Sequence, residues 1–579
     1  MRSANSTKRS EPSARHSPRF ATILALAVAT TAVGGCPPGL HIGGGTSLDI
    51  KISDTEQLSG PHVAQAEPAV AFFGDPAARL WVTCYNDDTH RGDAQPAASG
   101  ITCALTDGQR VTQRVAIVGQ APFGSGDPYP ATDPSLSRDP IDANTVWLSA
   151  VMFWNSATAG RRISIGIGRL VFSPVSRRME LDEPSPGCCG DAHRMVPIAG
   201  TKIESSLSET IPDRPQIAID PTPDAQGNHA QYLVFYQDDR VNHQGRIAVA
   251  RRDDSTVRFW SEAVPVLAEN LGHDPNGYVP DQAINPTSMD LAFFQAPQIT
   301  VHPTDHSVAV AYSRVGEDPN PPTDADPTIR NNSVGPPIQY FFGVSHDSAH
   351  TQWTAFDVAA RSLTPPPNFA AEGRVVVGFS NATTNRSFPA VPYPVIAFDQ
   401  SNANWVAVVT HAQLDDFQGP TPFWQLSSVH SSDDGQSWST PVALPTSTPR
   451  SFSNQLGNVA FPAMAYDTTV HRLVVGFLQS TSTTGQLWQP EVVTSLDGGG
   501  TWTPTLPVAP PSEPVPARLI GTELYSWGGF WAGSARAGYF GDYTGITVAN
   551  GVIWYAWADS RDSWPTQGVI DVWAAEVRE

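Results

Sequence analysis

Lysine is almost absent from this sequence of 579 residues, and positive charge is scarce throughout it. Only Lys8, Lys51 and Lys202 occur, and 35 Lys and Arg residues stand against 56 Asp and Glu residues, so the net charge is −21 at pH 7. A surface of this sign repels the phosphates of nucleic acids and the head groups of anionic lipids. The composition therefore predicts no nucleic-acid partner and favours a soluble, exported protein.

Cysteine is also scarce, with five residues and no pair at the C-x-x-C spacing that is typical of metal sites. Cys84 and Cys103 fall in neighbouring predicted strands and could pair in an oxidising compartment. The adjacent Cys188 and Cys189 could form a strained vicinal disulfide. We expect no cofactor and no catalytic metal. Paired aspartates occur in several loops. They are compatible with binding of a structural Ca²⁺ ion, and solvated turns are the alternative explanation.

Only one long apolar run is present, at residues 20–33, and it is too short to span a bilayer comfortably. It follows a basic segment and precedes Gly34-Gly35-Cys36, an order typical of secretion signals. The segment resembles a bacterial lipoprotein signal, which implies cleavage before Cys36 and lipidation of its thiol; an ordinary signal with an incidental cysteine is the alternative. We predict a signal peptide at 1–35, a flexible tether at 36–46 and attachment to the membrane through the lipid alone.

Proline, glycine and tryptophan are abundant, with 53, 46 and 16 residues, as in chains of short strands and turns. A proline, an alternating apolar strand, a turn and a second apolar strand recur along residues 47–579. The prolines lie 66 to 97 residues apart, and a seventh unit without the proline begins at Gly545; the prolines are Pro68, Pro134, Pro215, Pro297, Pro394 and Pro462. Seven units of four strands predict one all-β domain, a seven-bladed β-propeller, with six blades as the alternative. Residues 48–52 should close the ring as the outer strand of the last blade.

Two nearly identical turn motifs lie within this repeat. Residues 431–438 read Ser-x-Asp-x-Gly-x-Ser-Trp, and residues 495–502 read Ser-x-Asp-x-Gly-x-Thr-Trp. Each predicts a hairpin in which the Asp carboxylate accepts backbone N–H groups and a glycine takes a positive φ. The two motifs resemble the Asp boxes, or BNR repeats, of the sialidase-like propellers. In that family they are structural and lie away from the reaction.

A propeller brings the start of each inner strand and the end of each second strand to one face. Residues before the repeated prolines and after the second strands should therefore converge on a central pocket. These positions are mainly acidic, Arg or Tyr: Glu67, Asn86, Asp87, Asp133, Asp213, Arg214, Arg240, Arg314, Asp542, Tyr543, Asp559 and Arg561. An aromatic-x-Asp-(Asp/Ser)-Arg motif recurs among them, at 236–240 and at 557–561.

The resemblance to sialidases implies a specific use of these residues. Arg214, Arg240, Arg314 and Arg561, with Asp559 beside them, would bind the substrate, because guanidinium groups clamp a carboxylate bidentately. Tyr543 beside Asp542, or else Tyr236, would be the phenol of a tyrosine–carboxylate pair, and Glu67, Asp133 or Asp213 would be the partner acid. The Arg-Ile-Pro motif that opens proven sialidases is missing, and Glu67-Pro68 and Asp213-Arg214-Pro215 are its nearest analogues.

A structural role explains the same residues, because an Asp–Arg pair at a blade corner can satisfy loop amides and join neighbouring blades. Two functions therefore stay open. The first is recognition and hydrolysis of a glycan at the central pocket, as a glycoside hydrolase of the exo-sialidase type. The second is a non-catalytic module that binds protein or polysaccharide at the cell surface. For either function we expect a monomer.

Overall fold

The computed structural model describes residues 49–53, 65–75, 78–87, 100–119, 131–156, 160–182, 194–197, 205–206, 210–225, 227–239, 244–253, 260–261, 263–266, 293–315, 334–346, 354–357, 373–376, 394–413, 423–449, 456–483, 487–511, 543–559 and 571–578. Over these residues the chain is all-β, and its strands form the seven blades of a β-propeller, so the predicted seven-bladed fold is confirmed. None of these residues belongs to a helix that is long and apolar enough to cross a membrane.

The described part of the chain begins with β1 (Asp49–Lys51), and the first three blades follow in order. Blade one contains β2 (Gln65–Phe73), β3 (Leu80–Asp87), β4 (Gly100–Thr106) and β5 (Val111–Gly119). Blade two contains β6 (Ala131–Arg138), β7 (Thr145–Ser156), β8 (Gly160–Ser173) and β9 (Arg178–Asp182), followed by the short β10 (Arg194–Pro197) and β11 (Ser205–Ser206). Blade three contains β12 (Thr210–Ile219), β13 (Gln231–Asp239), β14 (Gln244–Arg252) and β15 (Val264–Pro265).

The other four blades repeat the same antiparallel order. Blade four contains β16 (Phe293–Val301), β17 (Val308–Val315), β18 (Val334–Ser345) and β19 (Thr354–Asp357), with the extra β20 (Gly373–Val376). Blade five contains β21 (Val395–Asp399), β22 (Asn404–Gln413), β23 (Phe423–Ser431) and β24 (Val442–Ala443). Blade six contains β25 (Val459–Asp467), β26 (Arg472–Ser480), β27 (Trp488–Ser495) and β28 (Leu506–Pro507). Blade seven contains β29 (Gly545–Ala549), β30 (Val552–Asp559) and β31 (Asp571–Arg578).

Blades one and two are joined by β10, which the sequence does not predict. This strand pairs in parallel with β5 and antiparallel with β8, so the two blades share one hydrogen-bonded sheet of ten strands. Strands as short as β10 and β11 contain too few residues to show an alternating pattern, and only the fold identifies them.

The N-terminal strand closes the ring as the repeat predicts. β1 pairs antiparallel with β31 and becomes the outer strand of blade seven. At the end of the strand Lys51 Nζ lies 2.9 Å from Asp571 Oδ2, and beyond it the Ser53 hydroxyl donates to Asp571 Oδ1 at 2.9 Å. Ile52 is completely buried between them. The ring is therefore held by polar contacts around an apolar anchor.

Neighbouring blades pack through large aromatic side chains. The rings of Trp81 and Trp554 stack between blades one and seven with centroids 5.6 Å apart. Gly476 leaves room for the ring of Tyr555 in the next blade, since a Cβ at residue 476 would lie 2.6 Å from that ring. The apolar core of the propeller therefore lies between the blades.

The two Ser-x-Asp-x-Gly turns have matching hydrogen bonds. In the second turn the Ser495 hydroxyl donates to Asp497 Oδ1 at 2.8 Å, Thr501 N donates to the same oxygen at 2.8 Å, and Gly499 N donates to the Ser495 hydroxyl at 2.9 Å. The first turn repeats these bonds through Ser431, Asp433, Gly435 and Ser437. Trp502 Nε1 then donates to Ser428 of blade five at 2.9 Å. Each turn thus has the predicted hairpin geometry, and the second also links two blades.

Cys84 and Cys103 form a disulfide between β3 and β4, where the two residues lie directly opposite each other. Both residues are completely buried. The pairing joins two strands within blade one and agrees with the expectation from their positions in the sequence. Cys188 and Cys189 lie outside the described residues.

Shortening the buried side chain of Ile52, directly after the closing strand β1, should destabilise the whole ring. We expect Ile52→Ala to lower the free energy of unfolding by about 2–5 kcal/mol, because it leaves a cavity between blades seven and one. The measurement is equilibrium denaturation in guanidinium chloride. Leu496→Ala is the matched control, since that side chain is 69% exposed and its loss should change stability by no more than about 0.5 kcal/mol. Equal losses in the two variants would contradict the closing role of β1.

Candidate functional site

Five inner strands share an irregularity at an Xaa-Pro pair. The register between inner and second strand shifts at this pair in blades one, two, three, four and six, at Glu67-Pro68, Asp133-Pro134, Arg214-Pro215, Ala296-Pro297 and Phe461-Pro462. Proline has no N–H for the ladder, so the strand bulges at this point. Four of the residues before proline have a positive φ: Glu67 at 58°, Asp133 at 56°, Arg214 at 50° and Phe461 at 53°. Such a backbone is unfavourable by about 1–3 kcal/mol per residue and is typical of functional sites.

The bulges of the first three blades bring three carboxyl groups into contact. The side chain of Asp133 hydrogen-bonds both to Glu67 and to Asp213. The positive charge of Arg214 acts on both aspartates. Glu67 is 1% exposed, whereas Asp133, Asp213 and Arg214 are partly exposed. The cluster is therefore deep in the fold but within reach of solvent.

Asn86, at the end of β3, connects two members of this cluster. Its Nδ2 donates to Glu67 Oε2 at 2.5 Å, and its Oδ1 accepts the backbone N–H of Asp133 at 2.9 Å. The Thr132 hydroxyl donates to Asp133 Oδ1 at 3.0 Å. Asn86 therefore fixes the position of the bulge in blade two relative to the carboxyl group of blade one.

Burial and the neighbouring carboxyl groups change the ionisation of the two aspartates. Desolvation, followed by the negative charge of Glu67, raises the pKa of Asp133 to about 7. Desolvation, followed by the negative charge of Asp133, raises the pKa of Asp213 to about 7. In both cases Arg214 acts in the opposite direction but does not cancel the effect. Near neutral pH these aspartates can therefore both hold and release a proton.

Blade seven reaches this cluster through Tyr543, Thr544 and Gly545. The Tyr543 hydroxyl donates to the carbonyl of Pro134 at 3.3 Å, directly after Asp133 in the chain. The Thr544 hydroxyl donates to the carbonyl of Phe461 in blade six at 2.8 Å. A Cβ at Gly545 would lie 2.5 Å from the carbonyl oxygen of Pro68, so only glycine fits against blade one. Three consecutive residues thus contact three different bulges.

The structure brings together part of the predicted site. Glu67, Asp213 and Arg214 lie in the cluster, as the sequence pattern predicts for positions at the repeated prolines. Tyr543, just before the seventh unit, which lacks the proline, contacts the bulge that contains Asp133. Asp559 instead is completely buried in β30 and accepts a hydrogen bond from Trp557 Nε1 at 3.2 Å. That contact fits the structural alternative, and a role of Asp559 in substrate binding stays a prediction.

Other predicted site residues lie beyond the structural description. Asp542, Arg240, Arg561 and Cys36 are outside the described residues, and for Arg314 only the backbone, in β17 opposite Phe294, is described. Substrate binding by Arg240, Arg314 and Arg561 therefore stays a prediction. The described part of the chain contains no group of three or more His, Cys, Asp or Glu residues that could hold a metal ion.

Two residues have a larger part in the cluster than the sequence indicates. Asp133 is its central member, although the sequence offers it only as one of three equivalent partner acids. Asn86 is one of several residues expected at the end of a second strand, and nothing in the sequence indicates that it connects Glu67 to Asp133. The signal for Asp133 is the proline that follows it in an inner strand, since that position demands a bulge. No comparable signal exists for Asn86, because its role depends on a contact between two blades.

Comparison with known proteins finds matching solved structures but does not assign the chain to a family. No family model matches the chain, and no curated protein matches it. Among solved structures, the Hadza microbial sialidase Hz136 is 12% identical with a TM-score of 0.35, covering 88% of this chain, which spans 65% of the sialidase chain. An ulvan lyase is 10% identical with a TM-score of 0.43, covering 88% of this chain and 93% of its own. The α-L-arabinofuranosidase Arb93A from Fusarium graminearum is 11% identical with a TM-score of 0.38, and the match covers 76% of this chain and 94% of the Arb93A chain. The function has to be inferred from the residues of this chain.

The raised pKa values predict a stability that falls as pH increases. Asp133 and Asp213 bind protons more tightly in the folded state than in the unfolded state, where the pKa is near 3.8. Their favourable contribution is complete below about pH 4 and is lost as pH rises through about 7. We expect Asp133→Asn to reduce the loss of stability between pH 5 and pH 8 by on the order of 1–4 kcal/mol.

The measurement is chemical denaturation over this pH range, with Asp213→Asn as a second variant. Glu180→Gln is the control, because Glu180 is exposed on the outer strand β9 of blade two. A wild-type stability that stays constant from pH 5 to pH 8, or falls equally in the Asp133 variant, would disprove the assignment of bound protons to this cluster.

Proposed function

We propose that the protein recognises a glycan at the central cluster and hydrolyses a glycosidic bond there. Glu67, Asp133, Asp213, Arg214 and Tyr543 would form the site, and the protein would belong to the Asp-box group of exported, sialidase-like propellers. We also propose that it acts as a monomer on a glycan or surface polysaccharide and needs no cofactor, with Ca²⁺ at most in a structural role.

The observation that carries this proposal is the contact of carboxyl groups from three blades beside the Arg214 guanidinium, with the Tyr543 hydroxyl on the carbonyl of Pro134 in the same bulge. Burial and mutual repulsion raise the pKa of Asp133 and of Asp213 to about 7. Hydrolysis of a glycoside needs an acid that protonates the leaving oxygen and a second group that attacks or activates water. An ordinary aspartate is ionised at neutral pH, but Asp133 and Asp213 retain a proton for a substantial fraction of the time. They can therefore serve as the acid near pH 7.

The contacts also restrict which groups can act together. In most glycosidases the two carboxyl groups lie about 5 Å or more apart, because the scissile bond lies between them. Asp133 hydrogen-bonds directly to Glu67 and to Asp213, so neither contacting pair has room for a sugar. The acid and its partner should therefore come from the two ends of the carboxyl cluster, Glu67 and Asp213, or from one carboxyl group and Tyr543. In the second case a carboxylate must accept the phenolic proton, since a free tyrosine has a pKa near 10.

The same close contacts support a second function, a non-catalytic module that binds protein or polysaccharide at the cell surface. Carboxyl groups that hydrogen-bond to one another can stabilise three strained bulges without reacting with anything. Partly exposed carboxyl, guanidinium and phenol groups bind sugar hydroxyls well in either case. The two functions differ in whether the bound glycan is cleaved.

A screen of residues 37–579 against sialosides and other glycosides distinguishes these functions. We expect one substrate class to be hydrolysed, and Asp213→Asn to lower kcat by about 100-fold or more, because Asp213 is the protonated end of the cluster and general acid catalysis contributes about that much. Tyr543→Phe keeps the ring and removes the hydroxyl, and it should lower kcat if the phenol reacts. Glu180→Gln should leave kcat and KM unchanged.

Glycan binding, measured by calorimetry or a glycan array, completes the test. Binding without turnover on any substrate would leave the non-catalytic module as the function. Turnover that neither Asp213→Asn nor Asp133→Asn affects would remove the carboxyl cluster from the mechanism, even if the protein is a hydrolase.

We propose in addition that the protein is exported and anchored through a lipid on Cys36. The basic segment, the apolar run and Gly34-Gly35 before this cysteine support export, and the buried disulfide between Cys84 and Cys103 suits an oxidising compartment. We expect Cys36→Ser to move the protein from the membrane fraction to the soluble fraction and to abolish incorporation of radiolabelled palmitate. Wild-type protein expressed in parallel is the control. Unlabelled wild-type protein in the soluble fraction would leave an ordinary secretion signal instead.

A further inference from the structure

The three carboxyl groups of the cluster form a chain that must contain protons. Asp133 hydrogen-bonds to Glu67 and to Asp213, which makes two contacts between carboxyl groups. An ionised carboxylate can only accept, so each contact needs a proton on one of its two partners. Three carboxyl groups with two such contacts therefore hold two protons and one negative charge. The guanidinium group of Arg214 balances that charge.

The orientation of Asn86 follows from the chemistry of its partners. The backbone N–H of Asp133 can only donate, so the atom of Asn86 at 2.9 Å from it is the carbonyl oxygen Oδ1. The amide nitrogen Nδ2 then faces Glu67 Oε2 at 2.5 Å and donates to it. Glu67 thus receives an N–H donor from Asn86 and is also in contact with Asp133.

We infer that Asn86 is a positioning residue whose N–H group replaces a third proton and keeps Glu67 as the ionised end of the carboxyl chain. The hydrogen bonds then run in one direction, from Asp213 to Asp133 to Glu67, and Asn86 also donates to Glu67. Among the described residues, the groups at this chain are Arg214 on β12, Thr132 on β6 and Asn86 on β3, and the Tyr543 hydroxyl contacts the carbonyl of Pro134 next to Asp133. The use of this order in glycan hydrolysis rests on the proposed function, whereas the order itself is a property of the fold.

Changing the amide of Asn86 to a carboxyl group tests this inference without a glycan. Asn86→Asp keeps the shape and the acceptor for Asp133 N–H but removes the donor to Glu67. The chain then has three contacts between carboxyl groups and needs three protons. The folded variant should bind about one more proton than the wild type near pH 7, which is measured as a steeper fall of stability with increasing pH.

The double variant Glu67→Gln with Asn86→Asp reverses donor and acceptor at the same contact. The amide introduced in blade one donates its N–H to the carboxylate introduced on β3, and its carbonyl oxygen accepts from Asp133, so the third proton is no longer needed. We expect the double variant to recover most of the stability that Asn86→Asp loses at pH 8, and its pH slope to return to that of the wild type or below. Asn550→Asp, in an exposed turn, is the control and should leave the slope unchanged.

An unchanged pH slope in Asn86→Asp, or a double variant no more stable than the single one at pH 8, overturns the inference. If Asn86→Asp does not fold at neutral pH, the double variant still decides, because the inference requires it to fold. The result is independent of the proposed function: a protein without hydrolytic activity can show the same proton linkage. If hydrolysis is found, Asn86→Asp should lower kcat/KM more at pH 8 than at pH 5.5.

Discussion

The bulge at the repeated Xaa-Pro pair is the constraint on which the candidate site depends. Proline cannot donate to the strand ladder, so each inner strand breaks its register where the pair occurs. The residue before proline then takes a left-handed backbone in blades one, two and three. The bulges interrupt the regular strand geometry at or directly after Glu67, Asp133 and Asp213, and these three side chains come into contact there. The chemistry of the cluster is thus a consequence of a backbone irregularity that recurs from blade to blade.

Such a cluster is unfavourable for folding, and the ring offsets the cost through contacts between blades. Left-handed residues and desolvated carboxyl groups each cost about a kilocalorie per mole or more. Blade seven counters this through Tyr543, Thr544 and Gly545, which contact the bulges of blades two, six and one. Blade seven is itself completed by β1, from the other end of the chain. The geometry of the cluster therefore depends on closure of the whole ring, although its members come from the first three blades.

The architecture was predictable from the sequence because it repeats, and the site was predictable only as far as the repeat extends. Proline before an alternating apolar strand located the inner strands, and the residues before proline included Glu67 and Arg214, which the structure brings together. Asn86 was among the residues expected at the pocket, but its linking role could not be predicted, because its two hydrogen bonds join blade one to the bulge of blade two. For the same reason β10 was not predicted, since its pairing with β5 and β8 depends on how two blades meet. The repeated sequence pattern predicts the strands within each blade. Contacts between blades depend on how the blades pack in the closed ring, and the pattern does not predict them.

The cluster also shows how chemically similar residues acquire different properties. Glu67, Asp133 and Asp213 are all carboxylic acids, and in an unfolded chain such groups have pKa values near 4. Full ionisation would leave three negative charges against the single positive charge of Arg214, and burial makes that state unfavourable. Two protons remove this excess, so the site becomes electrically balanced near neutral pH. The N–H of Asn86 then favours charge on Glu67, which leaves Asp133 and Asp213 as the groups that hold the protons. A proton donor and a carboxylate can thus coexist within one cluster, because their neighbours differ even though the acids do not.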